Sequence, residues 1–253
     1  MPAWKGVGGM TTIAVYSLKG GVGKTTLAVN LAWAAAALSS RRTLLWDLDA
    51  QAAASWLLGV DGPGKWPASA AITGEVDPAT LIRATMVERL SLLPADASLR
   101  NLDRLFHDLD KKKRLAKLAG ALAADYDRIV VDCPPGLTDT SDQVLRAADL
   151  VVVPVIPAPL STRAFDAVAA HVSARKGTGT PLLPVFTMVD RRRALHRAAL
   201  EAQPDWPVIP MASAIEAMTA ARAPVGTYAP RTPAAAAIGA LWRAVEKAVA
   251  RQG

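Results

Sequence analysis

Residues 12–26 read TIAVYSLKGGVGKTT, and the fold follows from how this stretch is understood. TIAVYS (12–17) is rich in β-forming residues and reads as a strand. KTTLAVNLAWAAAALS (24–39) is rich in Ala and Leu, contains no Pro or Gly, and reads as a helix. Between them stands a glycine turn ending in Gly23-Lys24-Thr25. Strand, glycine loop and helix in that order is the context in which such a turn cradles phosphates. Glycines let successive backbone N–H groups point inward, and the helix N-terminus adds partial positive charge. In a loop of this kind Gly20, Gly21, Val22, Gly23 and Thr26 complete the cradle. Lys24 bridges the β- and γ-phosphates, and the Thr25 hydroxyl holds Mg²⁺. One feature departs from the common pattern. The glycine expected five places before the Gly-Lys pair is Leu18, and a second lysine, Lys19, follows it.

Outward from the loop, short apolar runs alternate with longer helical stretches. RTLLWD (42–47), LSLLPA (90–95), DRIVVDCPP (127–135), LVVVPVIP (150–157) and LLPVFTMVD (182–190) are continuous runs bounded by Pro, Gly or charge. Strands buried on both faces of a parallel sheet have this composition. Helices are expected at about 98–124, 138–148, 160–175, 191–202 and 232–251. The fold class is therefore α/β: a doubly wound, mainly parallel sheet flanked by helices, of the P-loop NTPase type. One ATPase domain over 12–251 is expected, with residues 1–11 a flexible tail. The 253 residues are 51% apolar, which argues against a disordered or fibrous chain. A single cysteine, Cys133, precludes an in-chain disulfide and a Cys-x-x-Cys metal site, and fits a reducing cytosol. No signal peptide and no membrane-length uncharged run is visible.

A magnesium–nucleotide site also needs a carboxylate at a neighbouring strand end. IVVDCPPG (129–136) supplies Asp132, placed to hold the metal through a water in the Walker B manner. LLWDLDAQ (44–51) supplies Asp47 and Asp49. If the strand continued, alternation would point both into one cleft. One could then position an attacking water while the other supports Mg²⁺ hydration; a solvated turn is the competing reading.

Together these segments resemble the ParA/MinD superfamily. KGGVGKTT is similar to its deviant Walker A motif, DLDAQ to its Asp-x-Asp-Pro-Gln switch I, and VVDCPPG to its Asp-x-Pro-Pro-Gly switch II. VFTMVDRRRALHR (185–197) and the stretch 208–237 resemble later family segments. The resemblance runs over about 12–250. It implies ATP and Mg²⁺ as cofactors and assigns Lys19 to the nucleotide of the other subunit in a homodimer. Such a contact acts like an arginine finger supplied in trans. It makes Asp49 the water-positioning carboxylate and Asp132 the magnesium-linked one. It also places Pro210 and Met211 near the adenine, although Met211 stands where many ParA proteins have Arg. Ala50 replaces the usual switch I Pro.

Charge suggests a partner. Residues 1–174 hold 18 Lys/Arg and 17 Asp/Glu, whereas residues 175–253 hold 11 and 5. The C-terminal excess points to an acidic partner such as DNA or anionic lipid. Arg191, Arg192, Arg193 and Arg197, with Arg222, Arg231, Arg243 and Lys247, could line a sequence-neutral phosphate surface or be a soluble exterior. DKKKRLAKL (110–118) reads as a solvated helix face, His107, His171 and His196 as surface or helix residues, and Cys133 as a packing residue. The stripe Ile238, Leu241, Trp242, Val245 and Val249 suits a docked terminal helix better than a membrane-surface one. The expected function is a cytoplasmic, nucleoid-associated ParA-type ATPase. Its ATP-bound dimer binds double-stranded DNA non-specifically, and a ParB-like or adaptor protein stimulates its hydrolysis. With only about 11 residues before the first strand, a helix-turn-helix domain is not expected there. A MinD-like membrane-cycling ATPase and an amidating ligase of the same superfamily are the alternatives.

Overall fold

The computed structural model describes residues 9–62, 64–109, 112–174 and 179–251. In chain order, β1 (Thr11–Val15) leads through the glycine loop to α1 (Lys24–Ser39), followed by β2 (Thr43–Asp47) and two short helices, α2 (Ala53–Leu57) and α3 (Ser69–Thr73). Then come β3 (Arg83–Ala84), β4 (Leu90–Leu93), α4 (Leu102–Leu109), α5 (Arg114–Ala121), β5 (Arg128–Asp132) and α6 (Asp139–Ala147). The second half holds β6 (Leu150–Val155), α7 (Pro159–Ser173), β7 (Leu182–Val189), α8 (Ala194–Ala202) and β8 (Val208–Pro210). Three single-turn helices, α9 (Ser213–Glu216), α10 (Met218–Ala221) and α11 (Val225–Tyr228), precede the long α12 (Pro233–Ala250).

The strands form one sheet in the order β3-β4-β2-β5-β1-β6-β7-β8, parallel throughout except for β3 on the edge. The continuous apolar runs are explained by two cores, one on each face. Ala14, Trp46, Val131 and Val153 point to one, Ile13, Leu45, Val130 and Val152 to the other. Strict alternation of side chains along each strand produces this division. Helices α3 to α7 contribute to the first core, α1 and α10 to α12 to the second.

Helix α1 is apolar around nearly its whole circumference, as expected of a helix covered by both sheet and helices. Helix α12 lays Ile238, Leu241, Trp242 and Val245 into this second core, and the Trp242 indole N–H donates to Ser39 Oγ at 2.7 Å. The docked reading of the last helix therefore holds. Gly226 of α11 faces Trp33 so closely that a Cβ there would lie 2.0 Å from the indole ring.

The strand expectations hold, with β1 beginning at Thr11 and Met10 already buried beneath it. Most of the expected tail, residues 1–8, lies outside the described residues. The helix expected over 98–124 is instead a 3₁₀ turn (Ala97–Asn101), α4 and α5. Part of the charged run that separates α4 from α5, residues 110 and 111, lies outside the described residues, as does residue 175 after α7. The short strands β3 and β8 carry too few residues for a periodic signal.

Candidate nucleotide-binding site

The site lies where parallel strands end and their loops turn to the next helix, the usual ligand position in such sheets. After Val15 the chain stays tied to β6 through Tyr16 N–H to Val152 O at 3.0 Å, then loosens into the glycine loop. Gly23 is the N-cap of α1 at φ 88°, in the left-handed region where a side chain is disfavoured. No side chain caps this helix and its first turn holds no carboxylate, so its amide donors and dipole are left for another anion. Above Gly20 and Gly21 an added Cβ would meet nothing within 4 Å. A cavity of about 350 Å³ opens there, lined by Gly20, Gly21, Gly23, Lys24, Thr25, Thr26, Asp49, Pro135 and Met188. The loop, switch I and switch II segments thus meet at one place. Lys24 is only 7% exposed, and its ammonium donates to Lys19 O at 3.0 Å. Burial lowers its pKa against the pull of Asp132 and Asp49.

The strand-end carboxylates divide sharply. Asp47 and Asp132 sit opposite each other in the β2–β5 register, both fully buried. Asp47 accepts the Asp49 N–H at 3.1 Å on Oδ1, and both the Ser55 N–H (2.9 Å) and hydroxyl (2.8 Å) on Oδ2. Burial pushes its pKa up to about 6, with the Ser55 and Asp49 bonds pulling the other way. Asp132 has no hydrogen-bond partner on either oxygen. Burial and the neighbouring Asp47 hold its carboxyl well above the usual range, while the nearby Thr25 hydroxyl and Lys24 oppose that shift. Asp49 does not continue the strand alternation. The strand ends at Asp47, the chain turns, and Asp49 lines the cleft with its Oδ1 accepting the Gln51 N–H at 2.9 Å. The expectation of two carboxylates pointing together into one cleft fails for this reason.

Two unpartnered buried carboxylate oxygens beside a threonine hydroxyl fit a hydrated cation. Among the described residues no group of three His, Cys, Asp or Glu converges to hold one. A magnesium ion bound here would take its other ligands from phosphates and water, its habitual mode. Thr25 and Asp132 are the residues that would hold it.

Beside the loop a second, apolar cleft of about 130 Å³ is lined by Gly23, Thr26, Leu27, Thr187, Met188, Ile209, Pro210, Met211, Ala212, Ile215 and Glu216. Pro210 and Met211, expected from the sequence near the adenine, both line this cleft. The Thr187 hydroxyl donates to Val22 O at 2.9 Å and pins the loop to β7. Met188, at φ +55° where the β7–β8 register slips, borders both cavities. Its place was not readable from the sequence, because a strand residue carries no sign of a positive φ. Tyr16 was missed as well. Its fully buried hydroxyl donates to Gly136 O at 2.7 Å, tying the end of β1 to the switch II turn.

The Lys19 side chain is partly exposed at the loop's outer edge. The basic candidates do not form one surface. Arg191, Arg192 and Arg193 are exposed at the carboxyl end of β7, on the nucleotide side. Arg192 pairs with Asp190 at 2.9 Å, and Arg197 donates to the Arg191 and Arg192 carbonyls. His196, expected at the surface or on a helix, lies in α8 but is buried, accepting the Asp190 N–H on Nδ1. Arg222 is committed to Asp61 and Trp56. Arg231 is exposed just before α12. Arg243 and Lys247 are exposed on α12. Between them Glu246 pairs with Arg128 at the amino end of β5, away from the strand ends that carry the loop.

The family model AAA_31, described as an AAA domain, matches residues 10–178. The chain is 37% identical over 145 residues to the sporulation initiation inhibitor protein Soj of Bacillus subtilis, covering 56% of this chain and 57% of Soj. It is 31% identical over 194 residues to the chromosome partitioning protein ParA of Caulobacter vibrioides, covering 74% and 72% respectively. It spans 53% to 65% of the length of the first curated relatives it matches. Among solved structures, the cell division ATPase MinD of Pyrococcus furiosus superposes with TM-score 0.78 at 26% identity over 94% of this chain and 99% of MinD. Cobyrinic acid a,c-diamide synthase of Mycobacterium smegmatis, solved with an ATP analogue and magnesium, gives 0.79 at 26% identity over 94% of each chain. Loop, switches, sheet order and these matches agree: the chain belongs to the ParA/MinD superfamily of P-loop ATPases.

Proposed function

We propose that residues 12–251 form one ParA-type ATPase domain that binds ATP with Mg²⁺, pairs face to face with a second copy, and hydrolyses ATP to release a bound surface. The observation that carries this reading is Asp132, a buried carboxylate without hydrogen-bond partners beside Thr25 and Lys24 of the loop. A phosphate-bound cation explains why such a group is kept.

Each residue has a role that its position permits. The backbone amides of residues 20–26 and the Lys24 ammonium hold the phosphates, Lys24 exchanging the Lys19 carbonyl for phosphate oxygen. Thr25 would hold Mg²⁺ through its hydroxyl and Asp132 would hold it through a water, and the bound metal would supply charge neutralisation for the phosphates. Asp49, at the cleft, positions the attacking water. Asp47 braces switch I through Ser55 rather than facing the metal. Pro210, Met211 and the apolar cleft take the adenine.

Assembly is supported by the face that carries the loop. Leu137, Leu160, Leu195 and Met211 each follow a parallel strand at its carboxyl end, and all are exposed, Leu160 by 69%. Apolar side chains gathered at the edge that holds the nucleotide favour burial against a second copy. Lys19 then reaches the partner's phosphates.

The bound surface is non-specific double-stranded DNA, met by Arg191 and Arg193 with support from Arg231; Arg243 and Lys247, placed away from these, take no part in that contact. The cytoplasmic dimer would associate with the nucleoid and be released by a ParB-like or adaptor stimulator. The docking of α12 against α1 disfavours the membrane-cycling alternative, since its apolar stripe is already covered. Among the described residues no helix is long and apolar enough to cross a membrane. The test is DNA binding with ATP, ADP and no nucleotide, for the wild type and Lys19→Ala. Binding should require ATP, fall steeply with salt, and be lost in the variant. DNA affinity indifferent to nucleotide would sink the proposed cycle.

A further inference from the structure

Arg222 uses nearly all of its hydrogen-bonding capacity within the chain. Nε and Nη2 donate to the Trp56 carbonyl at 3.0 and 2.9 Å. Nη1 and Nη2 donate to the two oxygens of Asp61 at 2.9 and 2.7 Å. The guanidinium carbon also lies 4.8 Å from the Trp56 ring centroid, at stacking distance. An exposed ion pair alone holds little, but a bidentate fork joined to two carbonyl bonds and a stacked ring fixes a geometry. The backbone of Arg222 stands at φ +45°, a conformation an L-residue keeps only where its surroundings impose it.

The two sides of this contact both matter to the nucleotide site. Trp56 belongs to α2, and its neighbour Ser55 grips Asp47 through N–H and hydroxyl. Arg222 closes α10, which follows the wall of the base-side cleft formed by Ala212, Ile215 and Glu216. The far end of that wall is held by Asn30 of α1. Its Nδ2 donates to Thr26 O and to Met218 Sδ, and its Oδ1 accepts the Val225 N–H. The base-side segment is therefore clamped to the loop helix at one point and to the switch I helix at another.

We infer that Arg222 is a positioning residue, a bracket that makes occupation of the base-side cleft and the placement of residues 47–58 depend on each other. A base in the cleft settles the wall at 212–216, the wall carries Arg222, and Arg222 carries α2 with Asp47 and the adjoining Asp49. The phosphates reach the loop and Asp49 directly, but they do not touch the wall at 212–216 that carries Arg222. Hydrolysis is thereby conditioned on the base as well as on the triphosphate. This inference rests on the nucleotide reading of the site.

Hydrogen exchange of amides 47–60 tests it in the full chain, for the wild type, Arg222→Ala and Arg222→Lys. Each would be measured without ligand, with Mg²⁺ and tripolyphosphate, and with Mg²⁺ and AMPPNP. In the wild type AMPPNP should slow exchange by about tenfold beyond tripolyphosphate, within ordinary coupling strength. Arg222→Ala should still bind AMPPNP, yet lose that base-dependent increment; Arg222→Lys, which keeps the charge but not the fork, should recover part of it. A wild type that binds AMPPNP without the increment, or an alanine variant that retains it, overturns the bracket alone. A wild type that binds neither ligand overturns the nucleotide reading, and the inference falls with it.

Discussion

Asp47 and Asp132 are neighbours in register, end adjacent parallel strands and are equally buried, yet their surroundings are opposite. Asp47 is satisfied three times over by Ser55 and Asp49. Asp132 has no partner within hydrogen-bond distance on either oxygen, only the nearby Thr25 hydroxyl. A buried carboxylate with its hydrogen bonds made acts as structure; one without them is costly to the fold and is kept for a ligand. In the proposed reading, fold stability and magnesium chemistry fall to different members of one pair.

The sharpest way to break this division is Asp132→Asn. It keeps the shape, removes the charge, and should lower magnesium-dependent ATP hydrolysis by about 100-fold. The same variant should be more stable than the wild type without nucleotide, by about 1 kcal/mol at pH 8, because a strained buried charge is gone. Steady-state kinetics and denaturant titration would check both halves, and a variant that loses stability would refute the assignment. Asp47→Ala should behave in the reverse sense. It strands the Ser55 and Asp49 donors and should cost about 3 kcal/mol of stability, read as a fall in denaturation midpoint. Ser55→Ala removes one hydroxyl bond to Asp47, and with it the acceptor of the Ala95 N–H. About 1–2 kcal/mol should be lost.

The pH dependence sharpens the comparison further. Burial raises both carboxyls above their ordinary range in the fold, Asp47 up to about 6, and Asp132 is raised further by the neighbouring Asp47 charge. A carboxyl whose folded pKa is raised binds its proton more tightly folded than unfolded. Its stabilising contribution is complete below the unfolded value and fades as pH rises through the folded one. The nucleotide-free protein should therefore lose stability from this pair as pH rises above about 4, Asp47 contributing its part by about pH 6. In Asp132→Asn the slope of stability against pH should be shallower over that window, and an unchanged slope would contradict the shift.

How much of this was legible beforehand depended on distance along the chain. The strand, loop and helix of residues 12–39 were readable because their chemistry is local and contiguous. So were the strand ends at Asp47 and Asp132, marked by apolar runs that stop at an acid. The separation of Asp47 from Asp49 was not readable, because alternation holds only while a strand lasts, and β2 stops at Asp47. The bracket at Arg222 was invisible for another reason. Its partners Asp61 and Trp56 lie 161 and 166 positions away, and no local pattern records such a pairing. A basic residue in a basic segment reads as surface until its partner is seen. Tyr16, likewise, reads as an ordinary strand residue, although its hydroxyl crosses to Gly136.

The central claim is that the site is complete only when two chains meet through Lys19. Analytical ultracentrifugation of the chain carrying Asp49→Ala, to slow hydrolysis, tests it most directly. With Mg²⁺ and ATP this chain should sediment as a dimer and with ADP as a monomer. Adding Lys19→Ala should leave ATP bound to a chain that stays monomeric. A monomer under all nucleotides, or a dimer that forms equally well without Lys19, would contradict the account.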